Sequence, residues 1–271
     1  MAEAPLHFPL AERERLEPHL PVPTAADPSS PSCSTTTTLP FVTLTFATSL
    51  DSALSLGPGI RTALSGPESK AMTHYLRTRH DAICVGVGTA IADDPGLNSR
   101  LDAATHQPRP IIIDPRLRWD FTAHSKVMRL AREGKGLAPY IVTLEKESPR
   151  HKKEVLESAG GKFVILDAGS HGQGEGNKPR LDWRAILSAV RREGLRSIMI
   201  EGGGEVINSL LGEDADLVDS VIITIAPIWL GQGGVTVSPP RANVDRPVAR
   251  LSDTAWIPLG ADVVLCGRVA R

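Results

Sequence analysis

The stretch AICVGVGTAIADDPGLNSR, residues 82–100, joins an apolar run to a crowded polar segment. The apolar run at its start, AICV, predicts a buried strand. Two glycines, a threonine, two adjacent carboxylates, a proline and an arginine follow, and a simple turn would need only one or two of these. This crowding predicts a functional site directly after the strand.

Strand-like and helix-like patterns alternate on both sides of that stretch. Strands are predicted at 41–46, 82–87, 110–113, 139–144, 163–166, 197–200 and 219–226. Helices are predicted from a Ser65–Glu68 capping box to about Arg79, over 149–159, after a cap at Asp182, and from about Gly204. Two late β-like runs, 248–256 and 261–269, have no helix between them. The pattern predicts an α/β fold with a mixed, mostly parallel sheet and helices on both faces.

The first 38 residues differ in composition from the rest of the chain. Prolines interrupt them repeatedly, and a run of four threonines closes the segment. Although residues 6–16 could form a short helix, little apolar surface is available to hold it, so we predict a flexible tail over 1–38. Residues 39–271 form the predicted domain, and the glycine-rich loop 168–180 is an expected exposed insertion.

Composition excludes several classes of protein. With thirty basic and 31 acidic side chains, the chain lacks the excess of positive charge that is typical of nucleic-acid-binding proteins. No apolar run is long enough to span a bilayer. The N-terminus carries charges where a signal peptide needs an apolar stretch, so we expect a cytoplasmic protein. Three scattered cysteines, with histidines outside metal-binding spacings, predict no metal site, and Cys84 and Cys266, which lie in apolar runs, are expected to be buried.

A second concentrated motif is SIMIEGGGEVI, residues 197–207. An apolar strand ends there in an acid and three glycines before a helix begins. Glycine lets a backbone approach a phosphate closely, and the free N–H groups of a helix start attract anions. The motif is neither a G-x-G-x-x-G fingerprint, since Ile207 stands at the third glycine position, nor a Walker A loop. A tight strand-to-helix turn is the alternative interpretation.

Four motifs occur together in an order that is familiar. They are Ser49-Leu50-Asp51, then TAIADDPGL at 89–97, then Ile113-Asp114 with Arg116-Leu117-Arg118, then Glu201-Gly202-Gly203-Gly204. Over about residues 39–271 the chain resembles the riboflavin-biosynthesis reductases, which include the 2,5-diamino-6-ribosylamino-4(3H)-pyrimidinone 5′-phosphate reductases of fungi and archaea. T-x-x-x-D-D-P with a downstream E-G-G-G carries most of the resemblance.

The resemblance implies a dihydrofolate-reductase-like, three-layer fold, a homodimer and NADPH as cofactor. The cofactor-binding positions that it implies are Thr89, Asp93, Ile165, Gly202, Gly203, Gly204, Glu205 and Val206. The positions that it implies for the substrate are Leu97, Glu201 and Arg100, the last of these meeting the 5′-phosphate. A guanidinium suits phosphate because it can form paired charge-assisted bonds, and a carboxylate suits the amino groups of a diaminopyrimidine.

The implied reaction delivers a hydride to C1′ of the ribosylamino group and opens the ribose to a ribityl chain. It also needs a proton, for which Asp51, Glu201 and water are the candidates. The chain lacks the H-x-E and P-C-x-x-C zinc motifs of the bacterial deaminase half, so it resembles the monofunctional reductases that act before deamination.

Other functions remain open from the residues alone. A dihydrofolate or other pteridine reductase could share the fold, and a non-catalytic nucleotide-binding regulatory protein could keep the phosphate loop. Asp93 or Asp94 could merely stabilise the turn before Pro95, and Arg100 could be a solvated surface charge.

Overall fold

The apolar runs of the sequence become the strands of one large sheet. The computed structural model describes residues 5–22, 39–102, 104–167, 171–173, 179–241 and 245–270. The strands are β1 Phe41–Thr48, β2 Ala53–Ser55, β3 Ala82–Gly86, β4 Arg109–Ile113, β5 Tyr140–Thr143, β6 Lys162–Ile165, β7 His171–Gln173, β8 Pro179–Leu181, β9 Ser197–Ile200, β10 Ser220–Ile225, β11 Val235–Thr236, β12 Leu251–Leu259 and β13 Asp262–Val269. The helices are α1 Leu10–Leu16, α2 Pro67–Thr78, α3 Val87–Asp93, α4 Lys126–Arg132, α5 Arg150–Ser158, α6 Trp183–Arg192 and α7 Gly204–Leu211.

Nine strands form the main sheet in the order β12-β13-β10-β1-β9-β3-β4-β5-β6. From β10 to β6 every neighbouring pair is parallel, with Leu44 of β1 and Cys84 of β3 both registered against Ile200 of the intervening β9. β13 runs antiparallel to β10, and β12 antiparallel to β13. The predicted mixed, mostly parallel sheet with a final antiparallel pair is therefore confirmed.

Alternate residues of each strand bury opposite faces of this sheet. On one face, Leu44 and Ile200 pack with Trp183 of α6 and Ile207 of α7. The other face carries two clusters, one beneath α1 and α2 and the other, which includes Ile83, beneath α4 and α5. The three-layer arrangement with helices on both faces is confirmed.

The prediction for the start of α2 is wrong in one detail. The Ser65–Glu68 capping box does not form; Gly66 is the residue before the helix and Pro67 its first residue. Asp262 replaces the local cap, because its carboxylate accepts from the Gly66 N–H at 2.8 Å and from the Ser69 hydroxyl at 2.6 Å. The predicted cap of α6 is confirmed, with Asp182 accepting from the Arg184 N–H at 2.9 Å.

The N-terminal segment, residues 5–22, is not the flexible tail that the sequence predicted. Phe8 and Leu16 are each 1% exposed, and Phe8 packs on Tyr75 of α2 with 5.4 Å between ring centroids. Glu17 contacts both Tyr75 and Arg79. Three apolar side chains (the third is Leu20) thus bury the segment against α2, although prolines keep its helix short. Residues 23–38 lie outside the described residues, as do 1–4.

Two short helices were not predicted. α3 follows β3 without any interval, and α4 begins where Asp94 accepts from the Lys126 N–H at 3.0 Å. In the loop expected over 168–180 the described residues form the antiparallel pair β7–β8, while 168–170 and 174–178 lie outside the description. Within the described ranges, no helix has both the length and the apolar character to cross a membrane.

Candidate active site

Three of the sequence motifs meet at one edge of the sheet. The motifs at Ser49, Gly86 and Glu201 follow the carboxyl ends of β1, β3 and β9, which are adjacent parallel strands. The Glu201 N–H donates to the Cys84 carbonyl at 3.0 Å, so the glycine motif begins against the end of β3. Carboxyl ends of parallel strands are where open α/β sheets bind ligands.

The glycine motif lies against α3. The Thr89 hydroxyl donates to the Gly202 carbonyl at 3.4 Å, and a Cβ on Gly203 would come within 3.2 Å of the same hydroxyl. On the other side, a Cβ on Gly86 would meet Val206 at 3.4 Å. The resemblance assigned Thr89 and the glycines to one cofactor, and the structure brings them together.

The backbone requires glycine at two of the three positions, Gly202 and Gly204, for different reasons. Gly202 has φ +40°, and a Cβ there would meet Ile207 Cγ1 at 2.9 Å. Gly203, with φ −123°, has an ordinary backbone and precedes α7. A Cβ on Gly204 would lie 2.5 Å from Val235 of β11, so that strand can pack over the start of the helix. The first-turn N–H groups of α7 have no acceptor within the helix, and this glycine-lined cradle fits a phosphate.

The remaining predicted cofactor positions are spread along the same edge. Asp93 lies one turn after Thr89 on α3, so the two side chains share a face. Glu205 is exposed in the first turn of α7. Ile165, 48% exposed, ends β6, which is three strands away from β3. Asp94 contacts α4 as described above, so of the two adjacent carboxylates it is the one that stabilises the local fold.

Glu201 is held by an arginine that the sequence analysis did not single out. Arg77 of α2 donates from Nε and Nη2 to the two carboxylate oxygens of Glu201, each at 2.9 Å. Its Nη1 donates to the Asn98 carbonyl, also at 2.9 Å. One guanidinium thus joins the glycine motif to the segment carrying the predicted substrate residues. Such a bidentate pair fixes the orientation of the Glu201 carboxylate.

The two other predicted substrate residues are placed differently from each other. The Leu97 side chain is 1% exposed and belongs to the core under α4, while its backbone adopts φ +54°. Arg100 is half-buried, and its backbone N–H donates to Nδ1 of His74 at 3.1 Å. A side-chain contact from Leu97 to a substrate is therefore not favoured, whereas Arg100 contacts His74, which lies one turn before Arg77 on α2.

Asp51 anchors the loop that follows β10. Its carboxylate accepts from the Ser49 hydroxyl at 2.5 Å and from the N–H groups of Leu230 and Gly231 at 3.1 and 2.7 Å. These bonds, the Ser49 hydroxyl first, lower the pKa of Asp51 to about 2. A carboxylate that is ionised at neutral pH is a poor proton donor. The geometry therefore favours an anchoring role for the loop after β10.

The described residues contain no group of three or more histidine, cysteine or acidic side chains close enough to hold a metal ion. Cys84 and Cys266 are buried, as their apolar surroundings predicted, and burial raises the pKa of both thiols. Cys33 lies outside the described residues.

Comparisons with known proteins show the family of this chain. Residues 40–265 match the family described as the RibD C-terminal domain. The 2,5-diamino-6-ribosylamino-4(3H)-pyrimidinone 5′-phosphate reductase of Debaryomyces hansenii is 43% identical over 234 residues, covering 85% of this chain and 90% of that protein. The enzyme of the same name from Eremothecium gossypii is 42% identical over 279 residues and matches along the full length of both chains.

Solved structures show the same fold. The riboflavin biosynthesis reductase Rib7 of Saccharomyces cerevisiae superposes with a TM-score of 0.71 at 36% identity, covering 96% of this chain and 99% of that one. RibD of Acinetobacter baumannii, at 21% identity, superposes with a TM-score of 0.67 over 87% of this chain and 59% of its own. At that lower identity the similarity concerns the fold alone.

Proposed function

This chain belongs to the RibD C-terminal domain family, and we propose that it reduces 2,5-diamino-6-ribosylamino-4(3H)-pyrimidinone 5′-phosphate with NADPH. It is a reductase of riboflavin biosynthesis, because relatives with that name match it along most or all of their length. A reductase of this family works with a nicotinamide cofactor. The identity of the cofactor as NADPH and the roles of individual residues are parts of the proposal.

The contact between Thr89 and Gly202 is the observation that carries the proposal. It joins the strand-to-helix turns after β3 and β9 into one surface at the carboxyl edge of the sheet. The dinucleotide lies along this edge in our proposal, with its phosphates at the start of α7 and Thr89 and Asp93 against it. Residues assigned to hold the phosphates are Gly202, Gly203, Gly204, Glu205 and Val206. Ile165 would contact the far end of the cofactor. When bound, the reduced nicotinamide supplies a hydride.

The substrate occupies the neighbouring part of the edge in this account. Glu201, oriented by its pair with Arg77, accepts N–H bonds from the diaminopyrimidine, and Arg100 meets the 5′-phosphate. Asp51, with a pKa of about 2, holds no proton to give, and both carboxylate oxygens of Glu201 already accept hydrogen bonds from Arg77. We therefore assign the proton of the reduction to water.

We also propose that the enzyme acts as a homodimer in the cytoplasm. The support for both statements is the resemblance to the family. A sedimentation measurement on the purified chain tests the first of them, since a monomer at micromolar concentration would contradict it.

Loss of absorbance at the reduced-nicotinamide band tests the proposed reaction. Wild-type enzyme is expected to consume NADPH with the diaminopyrimidine phosphate and to leave it unchanged with dihydrofolate. NADPH consumption with dihydrofolate alone would reassign the chain to pteridine reduction. NADPH binding without turnover of either compound would indicate a non-catalytic nucleotide-binding protein.

A further inference from the structure

Residues 97–102, which we call the substrate arm, carry both Leu97 and Arg100 and lie outside the helices and strands. Leu97 has φ +54°, and Leu101 forms an isolated parallel bridge with Leu6 near the start of the chain. Because an irregular backbone has no sheet or helix ladder of its own, its polar groups need partners on other elements. The position of Arg100 therefore depends on the elements that surround the substrate arm.

Helix α2 holds the substrate arm at three consecutive residues. Nη1 of Arg77 donates to the Asn98 carbonyl at 2.9 Å. The Ser99 hydroxyl donates to the His74 carbonyl at 2.8 Å, and the Arg100 N–H donates to Nδ1 of His74 at 3.1 Å. Two residues of α2, one turn apart, thus fix one side of the substrate arm.

The N-terminal segment, residues 5–22, holds the same substrate arm through its backbone. The Leu6 N–H donates to the Arg100 carbonyl at 2.9 Å, and the Asp102 N–H donates to the Leu6 carbonyl at 2.9 Å. Both polar groups of the Arg100 backbone are therefore bonded, the N–H to α2 and the carbonyl to the N-terminal segment. Arg100 is the point at which the two elements meet on the substrate arm.

The N-terminal segment is also anchored on α2. Phe8 packs on Tyr75 with 5.4 Å between ring centroids. Nη2 of Arg79, the residue that ends the helix, donates to the Pro21 carbonyl at 3.0 Å, and Glu17 contacts both Tyr75 and Arg79. The N-terminal segment, α2 and the substrate arm therefore contact one another pairwise, so a change in the segment reaches Arg100 directly.

We propose that the N-terminal segment is a positioning element for substrate binding, in which the hydrogen bond from Leu6 to Arg100 sets where the Arg100 guanidinium meets the 5′-phosphate. A guanidinium needs a defined orientation for this contact, because its paired donors must face two phosphate oxygens. A backbone that is held at both of its polar groups has less freedom to lose when the ligand binds. The inference rests on the proposed function, because it takes the phosphate at Arg100 from there.

Three variants of the full chain separate the backbone bond from packing. Leu6→Pro removes the N–H that donates to Arg100 and keeps an apolar side chain. Leu6→Ala is the matched control, because it keeps the N–H and shortens a side chain that is half-buried. Leu10→Pro controls for proline itself. Leu10 is the 69% exposed first residue of α1, and the preceding Pro9 is already extended (φ −62°, ψ 147°).

The measured quantity is the ratio of kcat/KM for the 5′-phosphate to kcat/KM for the dephosphorylated nucleoside. We expect Leu6→Pro to lower this ratio about tenfold, because a displaced guanidinium loses a charge-assisted bond to phosphate. Both controls should keep the wild-type ratio, and the affinity for NADPH should be the same in all four proteins. A general loss of stability would lower both rates together and leave the ratio unchanged. An unchanged ratio in Leu6→Pro, or an equal fall in Leu6→Ala, would overturn the proposal.

Amide hydrogen exchange tests the same bond without turnover. If the wild type reduces neither compound, the proposed function fails, and exchange still decides whether the N-terminal segment fixes Arg100. We expect the Arg100 amide, which is bonded to His74, to exchange several-fold faster in Leu6→Pro than in Leu6→Ala. The Glu201 amide, which donates to the Cys84 carbonyl, should exchange at the wild-type rate in both. Equal exchange of the Arg100 amide in the two variants would contradict the positioning role.

Discussion

Among single residues, Gly202 has a backbone conformation that the glycine loop after β9 requires. Its φ of +40° is a conformation that costs other residues about 1–2 kcal/mol, and a Cβ would also press on Ile207 at 2.9 Å. We predict that Gly202→Ala lowers the free energy of unfolding by about 2 kcal/mol and weakens NADPH binding. Urea unfolding and calorimetry measure the two effects.

Gly203→Ala is the matched control for that prediction. Gly203 has φ −123°, which alanine adopts readily, and its Cβ would meet only the Thr89 hydroxyl at 3.2 Å. A smaller loss of stability is expected, with the main change in NADPH affinity. If both variants unfolded at the same urea concentration, the positive φ would not be the cause of the strain at Gly202.

The lowered pKa of Asp51 makes the stability of the protein depend on pH. Its folded pKa, about 2, is lower than the reference value of 3.8, so its stabilising contribution is present above pH 3.8 and is lost as pH falls through 2. Asp51→Asn removes the charge from the bonds to Leu230 and Gly231. We expect the variant to have a lower Tm than the wild type at neutral pH, with the difference shrinking between those two pKa values. A Tm difference that is constant across this range would argue against the anchor.

The residues that the sequence did not reveal have partners far along the chain. Arg77 and Glu201 are 124 positions apart, and His74 and Arg100 are 26 apart. At its place near the end of α2, Arg77 looks like a cation that complements the helix dipole. The glycine motif and Thr89 could be predicted, by contrast, because each directly follows an apolar strand in the sequence.

At the level of elements, the N-terminal segment is the part that differs most from expectation. Phe8 is 1% exposed against Tyr75, and its truncation leaves a cavity under α2. We predict that Phe8→Ala lowers the free energy of unfolding by about 3 kcal/mol. The control is Leu10→Ala on α1, where the side chain is 69% exposed and a change below about 0.5 kcal/mol is expected. Equal, small effects in denaturant would mean that the segment does not pack in solution.

The backbone gives a reason why this segment matters beyond stability. The Leu6 N–H donates to the Arg100 carbonyl at 2.9 Å, and the Asp102 N–H donates to the Leu6 carbonyl at 2.9 Å. The segment thus pairs with the chain on both sides of Leu101. The sequence could not predict this pairing, because the few apolar residues of the segment are buried only by α2 and by residues 100–102, which are distant along the chain.

Helices were predicted well where their signals are local. α6 has an aspartate cap and apolar residues at helical spacing, and both were recognised from the sequence. α4 is short, and Asp94, which accepts from its first N–H, lies 32 residues earlier. α3 starts directly at the end of a strand with no capping side chain. α4 was missed because its capping partner is distant in the sequence, and α3 because it has no capping side chain.

For the whole molecule, one sheet edge gathers three of the four motifs that carry the resemblance. The strand order places β9 between β1 and β3, so residues around 50, 89 and 201 become neighbours. The alternation of strands and helices predicted the layers, but it could not give this order. The site depends on the order, since the Arg77–Glu201 pair and the Thr89–Gly202 contact both cross between motifs.

In the proposed reaction, hydride passes from a nicotinamide at this edge to C1′ of the ribosylamino substrate. NADPH deuterated at the transferred position of its nicotinamide ring, incubated with the enzyme and the diaminopyrimidine phosphate, tests it directly. We expect a ribityl product that carries one deuterium at C1′, detected by mass spectrometry and NMR. Consumption of the labelled NADPH with a product that contains no deuterium, or with an intact ribosyl group, would contradict it.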